Sequence, residues 1–213
     1  MELLYHVMDK GIDTKMKGKF KLKFNRRFIC AILAGICLNM LGRLIAENFV
    51  IPFWLDAIGT CVSAIVAGPL AGAITGLCSN LIFSMGNIES LGYVLINMTV
   101  GIVVGIFYPD DRTDYFQIMY TAMLAAILVV VFATPLNMIY YHGYTGNVWG
   151  DALYDMLGQN GKSTWFHAVV AEGFVDIPDK LISLVIATGI LKLFNVIKGK
   201  MGGVITNEEE NEK

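Results

Sequence analysis

A chain of 213 residues that is 55% hydrophobic and only 16% charged, with a mean hydropathy of +0.59, is too apolar for an ordinary soluble domain, where about a quarter of residues carry charge. The net charge of -2 and pI near 5.9 matter less than how the charges are placed. Eight of the sixteen Lys and Arg lie in residues 10–27, beside the first apolar run, and four of the eighteen acids lie in the terminal NEEENEK. A basic cluster in that position is not the footprint of a nucleic-acid binder.

The apolar runs mark a polytopic membrane protein. A basic segment, residues 1–27, precedes a first span predicted at 28–46. The stretch 28–41 has the length of a leader's apolar region, but LGRLIAEN offers no small-x-small cleavage site, so no cleaved leader is expected. The block FWLDAIGTCVSAIVAGPLAGAITGLCSNLIFSM is 33 residues, too long for one crossing. Gly68-Pro69 in its middle signals a restart, with Pro suited to the first turn of a new helix, and divides it into spans at 53–67 and 69–85. A fourth span is predicted at 92–107, then a polar PDDRTD turn, then a fifth at 115–139. VDIPDKLISLVIATGILKLFNVIKGK opens with Asp176 as a cap, Pro178 near the first helical position and Asp179 in the first turn. It predicts a sixth span at 177–197, preceded by a short helix over 164–175 that is either part of the loop or a kinked extension, and followed by an acidic tail at 198–213.

Positive charge on the inner side arbitrates the count. With six spans, the basic N-terminus and the lysines of the C-terminus (Lys192, Lys198, Lys200) share the cytoplasmic side; with five they do not. The expectation is an all-α protein with six transmembrane helices in one bundle and both termini cytoplasmic, multi-pass in the plasma membrane. Loops 47–54, 86–91 and 140–163 then lie outside, and these loops with their flanking helix ends carry Glu47, Asp56, Glu89, Asp151 and Asp155 against Lys162. Arg43, near the end of the first span, snorkels outward.

LDAIGTCVSAIVAGPLAGAITGLCSN, YHGYTGNVWGDALYDML and VDIPDKLIS, in this order and spacing, resemble the substrate-binding S components of energy-coupling factor (ECF) transporters, over residues 28–197. The resemblance implies a six-helix membrane subunit that captures a micronutrient from outside. It implies partners too: a membrane coupling subunit carried by two cytoplasmic ATPases. The chain has no Gly-x-x-x-x-Gly-Lys-Ser/Thr loop and so is not expected to hydrolyse ATP itself. The family often docks through small residues four apart on the first helix, and Ala31-x-x-x-Gly35 is the nearest match. Such residues serve either a docking partner or packing within the bundle. Ala67, Gly68, Ala71, Gly72 and Gly76 are expected to pack the second and third spans together.

Polar residues within apolar helices mark candidate substrate contacts, since an amide or acid in lipid needs a partner. Asp56, with Trp54, opens the second span, where it serves as a pocket residue or as a partner of the helix dipole. Asn80 and Asn97 point to the substrate, and Asn137 is a third buried amide. Glu172 and Asp176 share a helical face; Glu172 is assigned to the pocket and Asp176 to the cap, with Lys180 neutralising one of them. The loop 140–163 is long, with Tyr, Trp, Gly and amides in place of the charge and Ser of disorder. It reads as an ordered lid, Tyr144 and Trp149 stacking on a ring and Asn147, Asp151 and Asp155 hydrogen-bonding it; a purely structural loop is the other reading.

The expected solute is small, water-soluble, ring-bearing and neutral or cationic: a vitamin, a vitamin precursor or a nucleoside-like compound. No catalytic residues, metal site or cofactor are assigned. His6, His142 and His167 are scattered, and Cys30, Cys37, Cys61 and Cys78 lie in apolar runs as small hydrophobes. Two other classes stand beside the S component. One is a membrane sensor that binds without transporting, which the lack of a kinase or cyclase domain before residue 213 disfavours. The other is a self-sufficient channel or secondary transporter, disfavoured by the lack of an inverted repeat.

Overall fold

The computed structural model describes residues 25–86, 88–158 and 164–211, the side chains of 88–90 and 198–211 excepted. Most of the basic segment 1–27, the side chains of Glu89, Lys198 and Lys200, and Lys162 therefore lie outside the described residues. Among the described residues the regular structure is seven α-helices and a 3₁₀ turn, with no strand. They are α1 (Arg26–Asn48), α2 (Ile58–Ala67), α3 (Pro69–Ser84), the 3₁₀ turn Ile88–Tyr93, α4 (Val94–Phe107), α5 (Tyr115–Tyr140), α6 (Val148–Leu157) and α7 (Trp165–Asn211). Among the described residues, three helical segments are long and apolar enough to cross a membrane: Arg26–Asn48, Tyr115–Tyr140 and Trp165–Ile197.

Local chemistry sets most boundaries. Asn25 caps α1, its Oδ1 accepting from Phe28 N at 2.9 Å, and Asp114 caps α5 by accepting from Gln117 N at 3.0 Å. Gly68, at φ 93°, breaks the chain between α2 and α3, and Pro69 starts α3 where its missing N–H costs nothing. In the α4–α5 turn, Thr113 donates to Asp111 from N at 2.8 Å and from Oγ1 at 2.7 Å. Those bonds, the backbone one first, hold the Asp111 carboxyl below the usual carboxylate range.

The buried centre is α2, whose residues Ile58 to Ala64 are all enclosed. It touches α1, α3, α4 and α7. Backbones approach this closely because glycines meet: Gly35 of α1 lies against Gly59 of α2, and Gly72 of α3 against Gly101 of α4. The Gly72–Gly76 stripe of α3 packs mainly on α4, with Gly76 on the Asn97 backbone, and only Gly72 also meets α2 at Ala64. The expected pairing of the second and third spans is thus secondary to that of α3 with α4. Around this centre, α1, α5 and α7 present Leu33, Leu41, Phe116, Val131, Leu193 and Phe194 outward, apolar side chains suited to lipid.

One interior residue is charged with capping duty from a neighbouring helix. Asn39 of α1 is fully buried and accepts from Gly59 N at 2.6 Å and Thr60 N at 3.2 Å, two of the orphan donors that open α2. Its Nδ2 donates to Thr60 Oγ1 at 2.9 Å and Ser79 Oγ at 3.0 Å, so α1, α2 and α3 are tied at a single amide.

Three expectations are corrected. Asp176 and Pro178 do not start a helix; both lie inside α7, which runs without a break from Trp165. Asp176 binds Lys180 one turn on instead of capping, and the turns before it are held by Ala168, Ala171 and Val175, all fully buried. That packing outweighs the cost of an internal proline, about 3 kcal/mol or more. The 140–163 loop contains α6, which Asn147 caps and which docks on α7 through Tyr154. Cys30 and Cys37 are exposed on α1, whereas Cys61 is buried; all four cysteines are free.

Candidate functional site

A cavity of about 340 Å³ opens where α1, α3 and α5 end and where α2, α4 and α7 begin. That is near the lower end of the usual range for small-molecule pockets, about 300–1,000 Å³. The helix ends bring together residues far apart in sequence: Arg43 and Glu47, Trp54 and Asp56, Asn80, Tyr93 and Asn97, Tyr141, and Glu172, Asp176 and Lys180. The apolar part of its wall is built by Ile96, Val100, Val129 and Ala133.

The polar wall is ordered by three chains of contacts. In the first, Asn97 Nδ2 donates to Asn80 Oδ1 at 3.0 Å and to the Asp56 carbonyl at 3.3 Å, and Asn80 Nδ2 donates to the Tyr93 carbonyl at 2.9 Å. In the second, the Tyr93 hydroxyl donates to Asn137 Oδ1, and Asn137 Nδ2 donates to Glu172 Oε2 at 2.6 Å. The Glu172 carboxyl, 4% exposed, is thereby oriented from α5. In the third, Lys180 Nζ lies 2.5 Å from Asp179 Oδ2 and 3.1 Å from Asp176 Oδ1, and Asp179 Oδ1 accepts from Leu55 N at 2.8 Å. This last bond fastens α7 to the residue preceding Asp56.

At the rim, Arg43 Nε donates to Glu47 Oε1 at 2.6 Å, and its guanidinium lies 4.4 Å over the Phe83 ring. A second, smaller hollow of about 240 Å³ shares Arg43, Glu47, Trp54 and Gly146 with the first and continues to Val50, Asn147 and Trp149. Two irregular segments meet there. Trp149 Nε1 donates to the Val50 carbonyl at 3.0 Å. Val50, Leu55 and His142 all take positive φ (50°, 52° and 56°), a strained state for a β-branched residue such as Val50.

Of the residues expected at the substrate, Trp54, Asp56, Asn80, Asn97 and Glu172 line the cavity together. Tyr144, Asn147, Trp149 and Asp151 do not line it; Asn147 and Trp149 border the outer hollow instead. The loop's own backbone takes the side-chain oxygens of Asn147 and Asp151, and other partners take the polar atoms of Tyr144 and Trp149. Asp151 Oδ1 accepts from Thr145 N at 2.7 Å, Thr145 Oγ1 at 2.9 Å and Gly146 N at 3.2 Å, and Asn147 Oδ1 accepts from Trp149 N at 3.0 Å. The Tyr144 hydroxyl donates to Asp155 Oδ1 at 2.6 Å, and that carboxylate raises the phenol above its ordinary range. Ala31 and Gly35 are buried against α2, the Ala31 carbonyl accepting from Ser63 Oγ at 2.7 Å. Their small side chains serve packing inside the bundle and leave no surface there for another subunit.

Tyr93, Tyr141, Asp179 and the Asn137 relay complete the site without having been singled out for it. Tyr93 had no signal as a ligand-side residue. Asn137 did, as an amide within an apolar run, and Asp179 was legible only as a helix-dipole partner. No known protein family, curated protein or solved structure matches the chain.

Proposed function

We propose that this chain is the substrate-binding membrane subunit of an importer of the energy-coupling factor type. In this reading it takes a small water-soluble micronutrient, such as a vitamin, a vitamin precursor or a nucleoside-like compound, from outside. It hands the solute inward with a coupling subunit and two cytoplasmic ATPases. The observation that carries the reading is the cavity: charged and amide side chains converge at one end of a helix bundle whose outer surface is apolar. Such groups are unfavourable in a membrane unless they serve a solute or each other.

The same reading takes six crossings, the shorter apolar helices α2, α3 and α4 joining the three long ones. Both termini then lie on the cytoplasmic side with the lysines, and the cavity opens to the outside of the plasma membrane. The residues expected at the solute are those on the cavity wall: Trp54, Asp56, Asn80, Asn97 and Glu172. A coupling subunit would meet an outward face of the bundle, because Ala31 and Gly35 are already covered.

The test is a thermal-shift screen of the full chain in detergent against vitamins, their precursors, nucleobases and nucleosides. A solute bound only by the folded state adds about 2.7 kcal/mol at a hundredfold excess over Kd. A single strong hit is expected, together with copurification of the chain with a coupling subunit and ATPases. A hit without any such complex would favour a sensor, and no hit would count against solute binding.

A further inference from the structure

The cavity's hydrogen bonding narrows the solute further, on the footing of the solute-binding reading above. Among the described residues, five carboxyl groups face or back the cavity (Glu47, Asp56, Glu172, Asp176 and Asp179) against the two cations Arg43 and Lys180. Neither cation is available to an incoming anion. Arg43 is held by Glu47 and the Phe83 ring, and Lys180 sits between Asp176 and Asp179.

Two acceptors on the wall remain open. The half-buried Asp56 carboxylate makes no hydrogen bond or contact ion pair among the described residues and acts on Lys180 and Asp179 only through space; its backbone carbonyl accepts from Asn97. Asn97 Oδ1 is buried, on a residue 5% exposed, and has no partner among the described residues. Turning the Asn97 amide over does not help. Its Nδ2 faces two acceptors, the Asp56 carbonyl and Asn80 Oδ1, and Asn80 must present its oxygen there because its own Nδ2 serves the Tyr93 carbonyl. A buried polar atom without a partner is the exception in folded proteins, so Asn97 Oδ1 waits for a donor.

We infer that the solute is an organic cation offering N–H donors along one edge: an ammonium, an amidinium or a protonated heteroaromatic ring. The donors meet Asn97 Oδ1 and the Asp56 carboxylate, the positive charge answers the surplus of carboxyl groups, and the body lies among the rings of Trp54, Tyr93 and Tyr141, whose faces attract cations. The charge belongs to an organic body because no three His, Cys, Asp or Glu side chains among the described residues are grouped to hold a metal ion.

Three planar probes of nearly one shape test this on the full chain in detergent: benzamidine (a cation), benzamide (neutral) and benzoate (an anion). Calorimetry and thermal shift are expected to rank benzamidine first by about tenfold or more, as for a hydrogen bond made to a charged partner, with benzoate silent. Asp56→Asn is expected to erase the preference for benzamidine. Its effect on benzamide should be much smaller, because a neutral amide gains no charge pairing from that carboxylate. A hit of net positive charge in the wider solute panel supports the inference equally. Benzamide or benzoate binding as tightly as benzamidine, or a panel hit of net negative charge, overturns the inference and leaves solute binding intact. Stabilisation by MgCl₂ or NiCl₂ alone, without response to benzamidine, overturns the organic assignment. Silence from every probe and every panel solute overturns both readings together.

Discussion

Lys180→Met isolates the buried charge cluster. Lys180, Asp176 and Asp179 are 6%, 2% and 0% exposed, so the weak worth of a surface pair, about 0–1 kcal/mol, does not apply. Methionine keeps most of the volume and removes the cation that lies 2.5 and 3.1 Å from two carboxylates. Breaking a buried pair by removing one partner costs about 3–5 kcal/mol, because the remaining charge is left uncompensated. The triple variant Asp176→Asn/Asp179→Asn/Lys180→Met removes all three charges and keeps an acceptor for Leu55 N. It is expected to recover most of that loss and stand within about 2 kcal/mol of the native chain. Titration with SDS in mixed micelles, followed by the fluorescence of Trp54, Trp149 and Trp165, measures both. A Lys180→Met deficit below about 1 kcal/mol would refute the reasoning, as would a triple variant no better than the single one.

Gly59→Ala places a methyl group against the Gly35 backbone, where no side chain can yield, and is expected to cost about 3 kcal/mol or more in the same titration. Val50→Gly removes an exposed side chain from a residue at φ 50° and should raise stability by about 1 kcal/mol, in contrast to the usual cost of introducing glycine. The Tyr144 phenol, raised by the carboxylate of Asp155, favours the folded loop in its neutral form. Its contribution is present in full below the ordinary tyrosine value of about 10 and is lost as pH rises through the higher folded value. Difference absorbance between the native chain and Tyr144→Phe should show this late titration, and Asp155→Asn should move it down.

What could be read from the sequence was whatever a short stretch decides for itself. Gly68-Pro69 both breaks and restarts a helix through its own backbone limits, so the division into α2 and α3 was legible. Trp54, Asp56, Asn80, Asn97 and Glu172 stood out because polar groups in apolar runs need partners, and the fold gathers them at one cavity. The start of α7 was misread because Asp176 and Pro178 carry the local signs of a helix beginning, while the reasons to continue lie on other elements. Those are Lys180 for the acid and the enclosed Ala168, Ala171 and Val175 for the turns before it. In the loop before α7, Asn147 and Asp151 have the chemistry of ligand contacts, yet their nearest unsatisfied groups are backbone N–H donors of the same loop. Spacing along the chain does not show which of those demands is met first.

The Asn39 amide also bears on the order of assembly. α2 has ten residues and is about 15 Å long, half the thickness of a bilayer's hydrocarbon core of about 30 Å. If α2 crosses, as the six-span proposal has it, the irregular stretch before it completes that depth with backbone groups that lipid cannot satisfy; Asp179 shelters Leu55 N there, and Asn39 shelters the first N–H groups of α2 at Gly59 and Thr60. Asn39 has been synthesised by then, but Asp179 emerges from the ribosome more than a hundred residues later. On that proposal the first half of the chain reaches the membrane with one of its two shelters missing. A nascent chain carrying Phe53→Cys, with its four native cysteines replaced by alanine and stalled before α7, should react with water-soluble thiol labels at residue 53, and protection should arrive only with the last helix.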